Sequence, residues 1–124
     1  MHLGNGFALP VAPRGANNMY QRITIIGTVG KTPEPHETSK GTPVTSFPVV
    51  TERKWTTAEG EREEKLTWFT VSAWGKLAEI AVQFLKEGDS VLVEGEMEQA
   101  RGYMVNGQCR AQLEVRARVI RCLK

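Results

Sequence analysis

Apolar residues recur at every second position through most of this sequence, and once, between residues 77 and 85, the period changes to that of a helix. Gln21–Val29 alternates Ile23 and Ile25 against Arg22 and Thr24, and Val44–Thr51 puts Thr45, Phe47, Val49 and Thr51 on one face. Leu66–Trp74 splits into Thr67, Phe69, Val71 and Ala73 on one side and Trp68, Thr70, Ser72 and Trp74 on the other. Ser90–Gln99 sets Val91 and Val93 opposite Leu92 and Glu94. Cys109–Arg121 alternates Leu113, Val115, Ala117 and Val119 with Glu114, Arg116, Arg118 and Ile120. Period two is the signature of a half-buried strand. The exception is Leu77, Ile80, Ala81, Phe84 and Leu85, whose spacing gives a helix one apolar stripe. Lys86 is expected in its last turn and Gly88 as its C-terminal cap.

The connections are polar and rich in turn residues. Thr32–Thr42, with Pro33, Pro35 and Gly41, reads as a loop. Gly27 and Gly30 suggest a bulge or bend in the first strand, and Pro48 belongs at a bulge or an edge-like position. Arg53–Lys65, charged and centred on Ala58-Glu59-Gly60, predicts a protruding hairpin tip. Gly102–Gln108 predicts a second loop, with Asn106-Gly107 as its turn. Three strands, one helix and two strands predict an all-β fold, a five-stranded Greek-key OB-fold barrel with one α-helix between strands three and four. Other small barrels with one helix fit the pattern alone. Residues 19–124 form that one domain.

Residues 1–18, rich in Gly, Pro, Ala and Asn with a single Arg14, stand apart. Pro10 and Pro13 break the only apolar stretch a secretory signal could use. The segment reads as a disordered N-terminal arm, or as codons upstream of a start at Met19. No apolar run approaches the roughly 20 residues needed to span a bilayer. Sixteen basic and fourteen acidic side chains leave a formal charge of +2, so net charge alone does not argue for nucleic acid. Cys109 and Cys122 read as free thiols of a reducing compartment, with a bridge as the alternative. They are not spaced with His2 and His36 as metal ligands, so no metal and no cofactor is expected.

The tryptophans carry the functional reading. If Phe69, Val71 and Ala73 fill the barrel, Trp68 and Trp74 stand outside it with Thr70 and Ser72. Exposed rings of that size imply either a covering loop or subunit, or a platform on which unpaired bases stack. Cations stand beside the aromatics in Arg53-Lys54-Trp55 and Arg101-Gly102-Tyr103, with Lys76 just after Trp74 and Arg62 and Lys65 on the first hairpin. Rings for bases and cations for phosphates are what a nonspecific single-strand binder needs. Glu59, Glu61, Glu63 and Glu64 make the hairpin tip electrically mixed, so its base is the expected contact.

These residues resemble the bacterial-type single-stranded-DNA-binding proteins of replication and repair, from about Met19 to Ile120. The resemblance rests on Ile23-Thr24-Ile25-Ile26-Gly27-Thr28-Val29-Gly30, on Trp68 to Trp74 followed by Gly75-Lys76-Leu77-Ala78-Glu79, and on Lys86-Glu87-Gly88-Asp89-Ser90-Val91-Leu92-Val93-Glu94-Gly95. It implies base stacking on Trp55, Trp68 and Trp74, with Tyr103 as candidate in the last hairpin. Phosphate contacts are expected from Arg53, Lys54, Lys65, Lys76 and Arg101. Trp55 shares the parity of Phe47 and Val49, so a twist or bulge after Val50 is expected to bring it outside. The resemblance implies a homotetramer, a dimer of dimers paired through Gln21–Val29. It also implies a bacterial cytoplasmic, nucleoid-associated location, the mitochondrion being the alternative. Many members end in a flexible tail whose acidic tip recruits replication and repair proteins. This sequence ends Arg121-Cys122-Leu123-Lys124, which reads as a tailless form or a shortened one.

No Ser-His-Asp set, phosphate-cradling G-K-[ST] loop or carboxylate–histidine cluster suggests an enzyme. The competing reading is an accessory OB-fold protein of primosome type, or a protein-interaction module, with weak DNA or RNA binding. Stacking alone does not separate RNA from DNA.

Overall fold

The computed structural model describes residues 19–123; the arm read for residues 1–18 lies outside them. Six strands and one helix follow in the order β1 (Ile23–Val29), β2 (His36–Glu37), β3 (Pro43–Thr56), β4 (Arg62–Trp74), α1 (Lys76–Phe84), β5 (Ser90–Val105) and β6 (Gln108–Leu123). The sheet order is β1-β5-β6-β4-β3-β2. It closes because β1 pairs with β5 over Ile23–Thr28 and then with β3 at Thr28 and Val29. β4 and β6 run parallel, Phe69–Ser72 beside Leu113–Arg116, and the other pairs are antiparallel. β2 adds two residues beside β3, outside the ring. A closed five-strand barrel with one helix between its third and fourth strands is the expected OB-fold.

The alternation fills the barrel. Ile25, Val29, Phe47, Val49, Val71, Ala73, Val91, Val93, Val115 and Ala117 point in and are buried. Ala78 and Ala81 of α1 and the following Leu85 join the same cluster. Each fully buried Val, Leu, Ile or Phe contributes about 1.5–3 kcal/mol of transfer free energy. Two crossings need bare backbone: a Cβ at Gly27 would collide with the Val50 carbonyl oxygen, and one at Gly95 with that of Arg116. The buried Thr45 donates to the Glu34 carbonyl at 2.7 Å, tying the β1–β3 connection to the barrel.

Several expectations change on the structure. Both hairpins are strand far into the segments expected as hairpin tip and loop. β3 pairs with β4 out to Thr56–Arg62, and β5 with β6 out to Val105–Gln108, leaving Asn106 and Gly107 as the turn. Both turn residues have positive φ, at 49° and 78°, as a tight hairpin requires. α1 ends at Phe84: Leu85 is extended (φ −100°, ψ 140°) and buries its side chain. Lys86 and Gly88 therefore lie past the helix. Gly88 instead donates from its N–H to the Val29 carbonyl at 2.8 Å, joining a tight turn to the end of β1.

In the last strand, Ile120 rather than Val119 is buried. Glu94 pairs with Val119 and Gly95 with Ala117, so Arg118 is an extra residue that inverts the parity. Pro48 sits in a continuous β3–β4 ladder, but its carbonyl accepts from Gly30 at 2.8 Å. In an antiparallel strand a residue's N–H and C=O point the same way. The missing donor thus faces β1 just where the β1–β3 ladder has ended, which is the edge-like position expected.

Candidate nucleic-acid interface

Residues directly opposite one another in a ladder share a face. The β3–β4 register runs without a shift from Val44–Trp74 to Thr56–Arg62. Val44/Trp74, Ser46/Ser72, Pro48/Thr70 and Val50/Trp68 consequently form one outer surface. The parallel ladder continues it sideways, with Glu114 beside Thr70 and Arg116 beside Ser72. Along the β5–β6 hairpin the same parity carries Arg101/Gln112 and Tyr103/Arg110. Trp68, Trp74, Arg101, Tyr103 and, farther along β3, Lys54 therefore fall on one continuous parity.

The rings on it are open. Trp68 is 52% exposed, Tyr103 45% and Trp74 39%. Trp68 is nonetheless held: its Cζ3 lies 2.6 Å from where a Gly30 Cβ would stand, and Pro48 flanks the same spot. Trp74 has the Arg116 guanidinium 5.3 Å from its ring centroid. Gly75, at φ 63°, turns the chain directly from Trp74 into α1 and so sets Lys76 at the helix start, two residues after that ring.

Trp55, Arg53 and Lys65 lie on the opposite parity, the outward extension of the barrel-lining face. Of the twist or bulge expected after Val50, the bulge is absent: the register runs on unshifted. Trp55 reaches solvent, 38% exposed, because the hairpin runs past the end of the barrel. Arg53 stacks over its ring at 5.3 Å and stands directly opposite Lys65. Two like charges face each other there, and among the described residues neither is in an ion pair. Lys54 is paired with Glu52 at 3.6 Å and Arg101 with Glu114 at 3.5 Å. Both are surface pairs worth well under about 1 kcal/mol, which a phosphate can displace.

A surface of half-exposed rings with cations at its borders does not itself identify a family, but sequence comparison does. The family model described as "Single-strand binding protein family" matches residues 20–123. The chain belongs to that family. A Thermotoga maritima "Single-stranded DNA-binding protein" is 35% identical over 104 residues, 84% of this chain and 74% of that one. Chlorobaculum tepidum "Single-stranded DNA-binding protein 1" is 36% identical over 85 residues, 68% of this chain. The chain spans about half the length of that relative, at 50%. Among solved structures, a small single-stranded DNA-binding protein from Streptomyces coelicolor superposes with a TM-score of 0.68 at 27% identity, over 82% of this chain and 93% of that one. A Plasmodium falciparum SSB in complex with ssDNA shares the fold, with a TM-score of 0.73 at 21% identity over 87% of this chain and 98% of that one.

Within this family member, two residues of the surface escaped the sequence reading. Arg116 was visible only as one polar position of an alternating strand. Its place beside Ser72, and so near Trp74, comes from the parallel β4–β6 register, which no local pattern carries. Gly30 read as a bend, whereas it is the floor under Trp68. Both cysteines are free, Cys109 exposed and Cys122 half-buried. Among the described residues, no cluster of three or more His, Cys, Asp or Glu could hold a metal ion, and no helix is long and apolar enough to cross a membrane.

Proposed function

We propose that this chain binds single-stranded DNA without reading its sequence, stacking bases on the outer face of β4 and holding phosphates with the surrounding cations. The observation that carries the reading is the pair Trp68 and Trp74, half-exposed on one face of one strand. Six residues of strand separate them by about 20 Å, at about 3.4 Å per residue. Each ring accepts any base, at about 1–3 kcal/mol per stack. Arg53, Lys54, Lys65, Lys76 and Arg101 neutralise phosphates. Trp55, on the other side of the β3–β4 hairpin, is reached by a strand that passes around that hairpin. Tyr103 extends the outer row. The names of the relatives support the choice of single-stranded DNA.

Binding is the whole of the activity. The strand is kept from re-pairing and from nucleases during replication, recombination and repair in a bacterial cytoplasm. Duplex binds poorly because its bases already stack on each other. Assembly as a homotetramer through β1 is supported by the edge of Ile23–Gly27, which pairs with β5 on one side and with no strand among the described residues on the other. Sedimentation of the protein alone tests that assembly.

The test of binding is quenching of intrinsic tryptophan fluorescence by oligo(dT), at low and high salt, with a matched duplex as control. Quenching by oligo(dT) alone, weakening as salt rises, is the expected result. No quenching at any salt would overturn the reading in favour of a protein partner on this face.

A further inference from the structure

We propose that Arg116 is itself a strand-contacting residue, whose guanidinium, stacked on Trp74, takes a phosphate of the strand beside the base on that ring. The inference rests on the single-strand reading above and adds a residue to it. Three observations point to it. First, the guanidinium lies over the Trp74 ring, 5.3 Å from its centroid. A cation–π contact uses none of its N–H donors, which stay available for an anion. Second, the carboxylates around it are engaged elsewhere. Glu114, two residues back on the same face, accepts from Arg101, Gln99 and Gln112. Glu96, directly across on β5, is held by Arg118. Glu98, the nearest other acid on β5, is directed to the Ser72 hydroxyl at 3.5 Å. Among the described residues Arg116 is in no ion pair. Third, its strand position is central: Arg116 sits on β6 beside Ser72, inside the row that runs from Trp68 to Trp74. The other cations named for phosphates lie on the hairpins or at the helix start, at the borders of that row.

A half-buried cation in no ion pair among the described residues, in the middle of an open aromatic surface, is what a phosphate contact requires. The bidentate fork of arginine suits phosphate oxygens, and stacking on Trp74 fixes its direction in advance. The contact also orders the ring, so Arg116 both binds the strand and keeps Trp74 in place for its base.

The experiment measures oligo(dT) affinity by anisotropy of a labelled oligomer between 50 and 200 mM salt, for the wild type, Arg116→Gln and Arg116→Lys, with thermal melts of each. Losing one phosphate contact lowers the slope of log K against log salt by about 0.7 for single strands. The affinity gap between wild type and Arg116→Gln is therefore expected to narrow by about 2.6-fold over that fourfold salt range. Arg116→Lys keeps the charge and is expected to restore the slope while remaining weaker than arginine. A merely structural role moves both variants down in parallel with the wild-type slope. Parallel lines for Arg116→Gln, or a slope in Arg116→Lys as low as a lost contact gives, would overturn the inference and leave the single-strand reading standing. Should Arg116→Gln fail to fold, Arg116→Met, which also removes the charge but keeps an apolar stem against Trp74, supplies the slope comparison. No oligo(dT) binding by the wild type would overturn both.

Discussion

The Trp68 ring lies on Gly30. A Cβ on that glycine would come within 2.6 Å of Cζ3, closer than real Cβ atoms approach, with Cη2 at 3.1 Å and Pro48 Cγ at 3.3 Å crowding the same site. The ring is rigid but half exposed, so it must yield by moving as a whole. Gly30→Ala is expected to lift Trp68 from its seat and weaken oligo(dT) binding by about 1 kcal/mol, the lower end of a base stack. The melting temperature should change little, because the ring is at the surface. Titration and a thermal melt check both halves; an unchanged dissociation constant with unchanged tryptophan emission would show that the seat does not matter.

Removing the rings tests the platform directly. Trp68→Ala and Trp74→Ala are each expected to cost about 1–3 kcal/mol in single-strand affinity. Circular dichroism confirms that each variant is folded, and a folded variant of undiminished affinity removes that ring from the site.

Arg53 and Lys65 face each other across the β3–β4 ladder. Like charges in direct opposition destabilise a sheet, by a few tenths of a kcal/mol up to about 1. Lys65→Gln is accordingly expected to leave stability unchanged or raise it slightly, while single-strand affinity falls and its salt dependence flattens. Urea denaturation and the titration together read the two opposite signs. A variant that is less stable and binds equally well would assign Lys65 to the fold alone.

Gly95 lies against the backbone of β6, where a Cβ would collide with the Arg116 carbonyl oxygen and come within 2.9 Å of the carbonyl carbon. Backbone cannot rotate aside as a side chain can. Gly95→Ala is expected to lose about 3 kcal/mol of stability, at the upper end of overpacking costs, measured as a shift in the urea midpoint. Because the same peptide carries Arg116, the variant should also bind oligo(dT) less well where it remains folded.

The barrel was legible in the sequence because its strands alternate strictly and one face of each is buried. Phe47, Val49, Val71, Val91 and Val115 were readable as lining from period two alone, and each is fully or almost fully buried. The hairpin arms were not legible. Arg53 to Lys65 carries charge on both faces, so no apolar period marks it as strand, and only the ladder Arg53–Lys65 to Thr56–Arg62 makes it one. The parity change at Arg118 needs an extra residue against β5, which depends on two strands at once. The end of α1 was placed at Gly88 by its residue type, while Leu85 ended the helix earlier by turning into the core. At the candidate surface, Trp68 and Trp74 could be read from one strand. The reverse placement of Trp55, and the approach of Arg116 to Trp74, required the pairing of strands distant in sequence.

That distance also governs how the barrel is made. Thr24 of β1 pairs with Glu94 of β5, 70 residues further along the chain. At about 5–20 residues per second of synthesis, β1 waits roughly 4–14 s before the partner of its main ladder has left the ribosome. Through that interval Ile23, Ile25 and Ile26 lie on a strand with both edges unmade. Closure joins the earliest part of the domain to one of its latest, which is a slow step in a topology of non-local pairs. The nascent chain is therefore most vulnerable to aggregation, and to exchange of β1 between copies, before Ser90–Gly95 emerges.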